Sequence, residues 1–256
     1  MSINRLYLTW FQRIRQLRPD ERVTRLRTFV WLMVGIYRSR SVQLSQVASK
    51  IPGRAVLVSM TRRLSRWLDN PAVRVREWYV PIAREVVQAM AASTGEVRLI
   101  ADGSRVGFGH QLLIVSLAFR RRAIPLAWTW VKCPRGHSSA NKQLALLAYV
   151  RSLVPIGIQV VLVGDSEFGA MVVLEQLDTW QWQYVLRQRA SHGVQLEGQT
   201  TWQTFGSLIQ SPGQSRWVGR ALLTGRSAYP TNLLAHWATG EEEPWLLATN
   251  LPQRGE

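Results

Sequence analysis

The stretch QVVLVGDSEFG, residues 159–169, decides the fold expected for this chain. It opens with an apolar, β-branched run that predicts a buried strand, and Gly164 and Asp165 close that run. Helical spacing follows at 169–177, and another strand-like run follows at 183–188. The segment therefore predicts a strand, a helix and a second strand, with an aspartate at the carboxyl end of the first.

Upstream of this segment, the hydrophobic pattern predicts three more strands and a helix. Residues 97–100 form a short apolar run closed by Asp102, and the runs at 111–119 and 123–131 are also strand-like. Residues 138–153 have helical spacing behind a serine cap. The predicted order is βββαβαβ, an α/β arrangement with the ribonuclease H-like layout.

Two aspartates could carry chemistry in such a sheet. In the predicted layout the first and fourth strands are neighbours, so Asp102 and Asp165 are expected to meet at adjacent strand ends. Paired carboxylates suit hard divalent ions such as Mg²⁺, which can organise a phosphoryl displacement. Each aspartate also has a simpler interpretation, since Asp102 with Gly103 could form a hairpin turn and Asp165 could cap a helix.

The amino-terminal third has helical spacing throughout, from residue 5 to about residue 92. Within it, residues 42–68 predict two short helices separated by a Pro-Gly break, which is the outline of a helix-turn-helix. The second helix carries three arginines that could reach phosphates or base edges: Arg62, Arg63 and Arg66. The alternative is a basic, solvated face on an ordinary helical hairpin.

The charge of the chain predicts a polyanionic partner. There are 32 basic and 16 acidic residues, a net charge of +16, and only three of the cations are lysine. Residues 1–95 hold 17 of the basic and 5 of the acidic residues. Arginine forks match phosphate oxygens, so nucleic acid is the first candidate partner and the first third its main contact. Membrane binding and plain solubility are the alternatives for a basic surface.

Several classes of protein are disfavoured by composition. The longest apolar run, 29–36, is far shorter than the ~20 residues that cross a bilayer, and the first residues do not form a signal peptide. Cys133 is the only cysteine, which excludes an internal disulfide and the zinc-cluster patterns. We therefore expect a cytoplasmic protein with no membrane partner.

Residues 190–250 predict a β-rich segment with scattered tryptophans. Short strand-like runs and turns alternate there, and most of its four tryptophans are expected in a buried core: Trp202, Trp217, Trp237 and Trp245. Just before this segment, Arg187 and Arg189 are predicted phosphate contacts beside the aspartate pair.

Three blocks of sequence resemble the bacterial insertion-sequence transposases of family four, in the DDE group. The first block combines DGS at 102–104, HQLL at 110–113 and RAIPLAW at 122–128. The second combines VLVGDSEFG at 161–169 with YVLR at 184–187. The third is RRLSRWLDNP at 62–71, which is similar to the amino-terminal leader of the same proteins.

The resemblance implies a helical, basic DNA-binding domain at 1–94, a ribonuclease H-like catalytic core at 95–189 and a β-rich insertion at 190–256. It implies Mg²⁺ or Mn²⁺ as cofactor and Asp102 and Asp165 as the first two catalytic and metal-binding residues. Its partner would be double-stranded DNA, at transposon terminal inverted repeats and at the target, which a homodimer associated with the bacterial nucleoid would cleave and join. The tryptophans of the insertion could then stack on an unpaired base.

The family's third catalytic residue is a glutamate in a Tyr, Arg, Glu, Lys pattern that this chain lacks. The chain is therefore expected to stop before that residue and to be weakly active or inactive. Glu167 is expected to cap or salt-bridge its helix rather than replace it. Two alternatives remain: a non-catalytic DNA-binding protein that occupies transposon ends, and another ribonuclease H-like nuclease such as a resolvase.

Overall fold

The computed structural model of the protein describes residues 2–107, 109–132, 138–224 and 227–253. Cys133 lies outside the described residues. The chain divides into two compact units, Met1–Glu85 and Val86–Glu256. The first is helical and the second is built on one large sheet. Within the described ranges, no helix is both long and apolar enough to cross a membrane.

The first unit is made of helices in the segments where the sequence has helical spacing. They are α1 (Ile3–Leu17), α2 (Val23–Ser39), α3 (Leu44–Ser49), α4 (Leu57–Leu68) and α5 (Val75–Thr94), the last of which continues into the second unit. Helices α3 and α4 occupy the predicted helix-turn-helix segment and pack against each other and against α2. Their role in DNA binding stays a prediction.

Close packing between α2 and α3 depends on Gly35. A Cβ atom at this position would lie 2.5 Å from Val47 Cγ1 and 2.9 Å from the Val47 carbonyl oxygen, so any side chain would push α3 away. Val47 itself is completely buried, as is Val30 on α2. Such a contact between backbones is the kind that glycine permits at a helix crossing.

An aromatic cluster packs α4 against α2 and α5 in the first unit. The Trp67 ring stacks on Phe29 with centroids 5.3 Å apart and meets Trp78 edge-on at the same distance. Its indole Nε1 donates to the carbonyl oxygen of Arg25 at 3.1 Å. Buried aromatic pairs with a satisfied polar handle fix orientation as well as position, so α4 has one defined outer face.

Over the described residues, the second unit contains ten strands, two further α-helices and a short 3-10 helix at Phe205–Leu208. The strands are β1 (Glu96–Arg105), β2 (His110–Phe119), β3 (Arg122–Lys132), β4 (Gln159–Gly164), β5 (Gln183–Arg187), β6 (Gly193–Leu196), β7 (Gln203–Thr204), β8 (Ser215–Leu223), β9 (Tyr229–His236) and β10 (Trp245–Thr249). Helix α6 (Ala140–Arg151) joins β3 to β4, and α7 (Met171–Thr179) joins β4 to β5. The predicted order βββαβαβ is present through β5.

All ten strands belong to one mixed sheet, in the order β3-β2-β1-β4-β5-β10-β9-β8-β6-β7. The first three strands are antiparallel neighbours, whereas β1, β4 and β5 run parallel. Strand β10 pairs antiparallel with β5, so the β-rich segment extends the same sheet. One sheet face carries the buried core, including Val97, Leu99, Leu162 and Leu186.

The first strand is longer than its sequence indicates. We expected it to end at Asp102, but β1 continues to Arg105 because β2 offers a partner for every residue of the extension. Asp102 pairs with Ile114 and Gly103 pairs with Leu113. The hairpin-turn interpretation of the Asp-Gly pair is therefore wrong, since both residues lie inside a strand.

Candidate active site

The register of the three parallel strands brings the two predicted aspartates together. Pairing of β1 with β4 aligns Ala101 with Gly164, and pairing of β4 with β5 aligns Gly164 with Leu186. The next residue on each strand continues these rows, which gives Asp102, Asp165 and Arg187 in order. Side chains alternate along a strand, so this row lies on the face opposite the buried core.

Local backbone donors hold both carboxylates. Oδ1 of Asp102 accepts from the N–H of Gly103 at 2.8 Å, and Oδ1 of Asp165 accepts from the N–H of Glu167 at 3.0 Å. Both aspartates are exposed to solvent. They are therefore accessible to a ligand while their orientation is restrained.

The Asp165 carboxyl is electrostatically perturbed. Partial burial raises its pKa above the ordinary value, and the negative charges of Glu167 and Asp102 raise it further. The backbone N–H of Glu167 and the guanidinium of Arg187 oppose this rise in pKa. The ionised Asp165 carboxylate thus lies close to other negative charges, and a bound cation would reduce the repulsion between them.

Arg187 occupies the third place in the row and is held by the turn before β10. Its Nη2 lies 3.1 Å from Glu243 Oε2 and 3.4 Å from the carbonyl oxygen of Pro244. Its guanidinium carbon is 6.0 Å from the centre of the Trp245 ring. Arg189 lies exposed, two residues beyond the end of β5.

Glu167 does not cap or salt-bridge helix α7, contrary to expectation. Its carboxylate accepts from Gln111 Nε2 at 2.5 Å and from the N–H of Ser138 at 2.8 Å, and it accepts from the Ser138 hydroxyl as well. These partners are far away in the sequence, so local spacing did not indicate them. The serine at the N-cap of α6 is Ser139, which makes no side-chain cap hydrogen bond, whereas Ser138 donates its hydroxyl to this carboxylate.

The donor set fits one hard cation. Among the described residues there is no group of three or more His, Cys, Asp and Glu side chains that could hold a metal ion. Mg²⁺ is nevertheless commonly held by one or two carboxylates, with water and substrate phosphates completing its shell. Asp102 and Asp165 are the residues that would hold it.

The three predicted DNA-binding arginines of α4 do not share one environment. Arg62 and Arg66 are exposed and lie one turn apart. Arg63 is also exposed, but its Nε and Nη2 atoms lie 3.3 and 3.2 Å from the Thr28 hydroxyl on α2. The contact with Thr28 thus distinguishes Arg63 from Arg62 and Arg66.

The tryptophans of the β-rich segment correct another expectation. None of the four is buried, and Trp202 and Trp245 are 41% and 52% exposed. Trp245 stands on β10 on the same face as Arg187, because β10 aligns Leu247 with Arg187 and side chains alternate. The buried-core assignment is therefore wrong, since the buried residues of this part are mainly aliphatic and its fully buried aromatic residue is Phe205.

A cavity of about 640 Å³ lies away from the aspartate pair. Its lining includes Arg151, Ile156, Trp180 and Trp182, near the amino ends of β4 and β5. Asp165 and Arg187 are at the carboxyl ends of these strands. Cavity size therefore does not identify the chemical site in this unit, and the convergence of charged groups does.

Comparison with known proteins gives a likeness in structure and none in sequence. No protein family and no curated protein matches the chain. Among solved structures it is similar to a transposase, and that structure is the piggyBac transposase synaptic complex with hairpin DNA, solved by cryo-EM. The TM-score is 0.43 at 12% sequence identity, over 99% of this chain and 59% of that chain. The chain thus spans 59% of the length of the structure that it matches.

Proposed function

We propose that the chain is a DNA-processing protein of the DDE transposase type from a bacterial insertion sequence. Its sheet unit would be a ribonuclease H-like core in which Asp102 and Asp165 hold Mg²⁺ or Mn²⁺. The observation that carries the proposal is the strand register, which aligns two acids 63 residues apart and adds Arg187 beside them.

The row of charges suits a phosphodiester. The two aspartates supply anionic oxygens for a cation, and Arg187 supplies a guanidinium that can contact a phosphate oxygen. A bound divalent ion would neutralise charge on the phosphate and lower the pKa of a coordinated water. In the free protein Arg187 is paired with Glu243, so phosphate contact would exchange one anionic partner for another.

The helical unit would supply affinity for duplex DNA. It holds 17 basic and 5 acidic residues, and the outer face of α4 presents Arg62 and Arg66. Phosphate contacts of this type give affinity that does not depend on base sequence, and contacts to base edges would add selectivity for terminal repeats. A homodimer on two transposon ends fits the same proposal.

The cation site can be tested with Mn²⁺, whose electron paramagnetic resonance signal reports the free ion. We expect the full chain to bind Mn²⁺, and we expect Asp102→Asn and Asp165→Asn each to abolish most of that binding. Glu175→Gln is the matched control, because Glu175 is an exposed carboxylate on α7 outside the row. Equal binding by all four proteins would contradict the proposal.

A second candidate function is a DNA-binding protein that occupies transposon ends without cleaving them. It is favoured by the two-carboxylate donor set, since two ligands hold a pair of catalytic ions poorly. Asp102→Asn separates the two functions. It should leave DNA binding intact in both cases, and it should remove Mg²⁺-dependent strand cleavage only if the chain is an enzyme.

A further inference from the structure

Glu167 reaches the first strand from the side opposite Asp102. The residue after Asp102 is Gly103, whose absent side chain would point to the core face of the sheet. A Cβ atom there would lie 2.3 Å from Glu167 Oε2 and 2.5 Å from Gln111 Nε2. The Glu167 carboxylate therefore fills the place of a Gly103 side chain, directly behind the predicted cation site.

The surroundings of this carboxylate are a built arrangement of donors. Gln111 is 3% exposed and Gln143 is 1% exposed, and both turn their amide nitrogens inward. Gln143 Nε2 donates to the carbonyl oxygen of Glu167 at 3.0 Å and to Ser138 Oγ at 2.9 Å. The amide oxygens of both glutamines lack a hydrogen-bond partner among the described residues. The amides are thus oriented toward Glu167 at the expense of their own acceptors.

These contacts fix the backbone that orients Asp165. The Glu167 N–H donates to Asp165 Oδ1, and the Phe168 N–H donates to the Asp165 carbonyl oxygen at 3.1 Å. Glu167 is tied through its side chain to β2 and to Ser138, two residues before α6, and through its carbonyl oxygen to α6 itself. Movement of Glu167 would therefore turn the Asp165 carboxylate.

We propose that Glu167 is a positioning residue for the cation site, acting from the core face of the sheet through its backbone N–H on Asp165. The assignment rests on the proposed role of the aspartate pair. It requires the Glu167 side chain as a hydrogen-bond acceptor and does not require its charge. That distinction makes it testable, because partners of metal ligands usually change affinity by about 10- to 100-fold when they are removed.

The test is Mn²⁺ affinity of the full chain with three substitutions. Glu167→Ala removes the acceptor, and we expect affinity about tenfold weaker. Gly103→Ala should have a similar effect, because its methyl group displaces the carboxylate without removing it. Glu167→Gln should bind within about twofold of the wild type, since its oxygen still accepts from Ser138 and its amide can meet the free Gln111 oxygen after that amide rotates.

The outcomes separate positioning from other roles. Thermal unfolding without cation shows whether each variant is folded. If Glu167→Ala does not fold, the Mn²⁺ affinity of Gly103→Ala decides the test. Wild-type affinity in the folded alanine variants would overturn the assignment. So would Glu167→Gln binding as weakly as Glu167→Ala, which would indicate a through-space charge effect. Absence of Mn²⁺ binding by the wild-type chain would instead overturn the proposed function itself.

Discussion

The helical and sheet units use charge in different ways. The helical unit, Met1–Glu85, holds 17 basic residues against 5 acidic ones, distributed over several helices. In the sheet unit the basic and acidic counts are 15 and 11, but strand register places two acids and one arginine in a single row. Binding by many distributed charges tolerates the loss of one residue, whereas binding by a row of three charged side chains is lost when one of them is replaced. Composition therefore reveals the first kind of site and only topology reveals the second.

The largest effect is expected on stability, from a substitution in the buried aromatic cluster of the helical unit. Replacing the buried Trp67 with alanine should lower the free energy of unfolding by about 3–5 kcal/mol, because a cavity forms and the contacts with Phe29 and Trp78 are lost. Urea unfolding monitored by circular dichroism measures this.

The matched control is Trp245→Ala in the sheet unit. Trp245 is 52% exposed and mainly faces Arg187, so the expected cost is about 1 kcal/mol or less. An equal loss in the free energy of unfolding for the two variants would show that Trp67 is not packed more tightly than Trp245.

A smaller effect is expected from the outer face of α4. Removing Arg62 and Arg66 together should weaken binding to a labelled duplex on the order of tenfold and reduce the salt dependence of log Kd by about two. Fluorescence anisotropy over a series of salt concentrations measures both quantities.

Arg63→Ala is the control for that pair. The Arg63 guanidinium already contacts Thr28. Its removal should therefore change the slope of log Kd against log salt concentration by less than the loss of one phosphate contact would. If Arg63 alone accounted for the loss of DNA affinity, the outer face of α4 would not be the contact surface.

The smallest effect should appear as a gain in stability at the charged row. The raised pKa of Asp165 means that the folded state disfavours its ionised form, so Asp165→Asn should stabilise the cation-free chain at neutral pH. Screening of a solvent-exposed carboxylate keeps the gain below about 1 kcal/mol. The gain should disappear as pH falls below the unfolded-state pKa of about 3.9, where Asp165 is protonated in both states.

Urea unfolding at several pH values tests this, with Glu175→Gln as the variant that should show no gain. A stabilisation that grows toward acidic pH would have the wrong sign and would contradict the electrostatic description of the site. Together with the Mn²⁺ titration, the result would show whether Asp165 is kept for binding at a cost to stability.

Much of the sheet could be predicted because its strands are marked by uninterrupted apolar runs. The order βββαβαβ follows from such runs, and the neighbouring positions of Asp102 and Asp165 are predicted from the sheet layout that this order indicates. The end of β1 could not be predicted, because the Asp-Gly pair is a turn signal and only the length of β2 overrides it. Strand length here is a property of two segments together.

The contacts of Glu167 were invisible to local patterns for the same reason. Its side-chain partners lie 56 and 29 residues away, and nothing in the spacing of Gln111 or Ser138 indicates them. The three arginines of α4 also look equivalent in the sequence, and only the position of Thr28 on α2 separates Arg63 from its neighbours. Residues whose role depends on a distant partner need the tertiary structure.

The place of β10 has a consequence for how the chain reaches its folded state. This strand follows β6 to β9 along the chain, yet it stands between β5 and β9. Until Trp245–Thr249 docks, β5 and β9 each present an unpaired edge, and such edges invite pairing with other chains. Pairing of residues far apart in sequence is slow, so the newly synthesised protein would be most prone to aggregate just before β10 inserts.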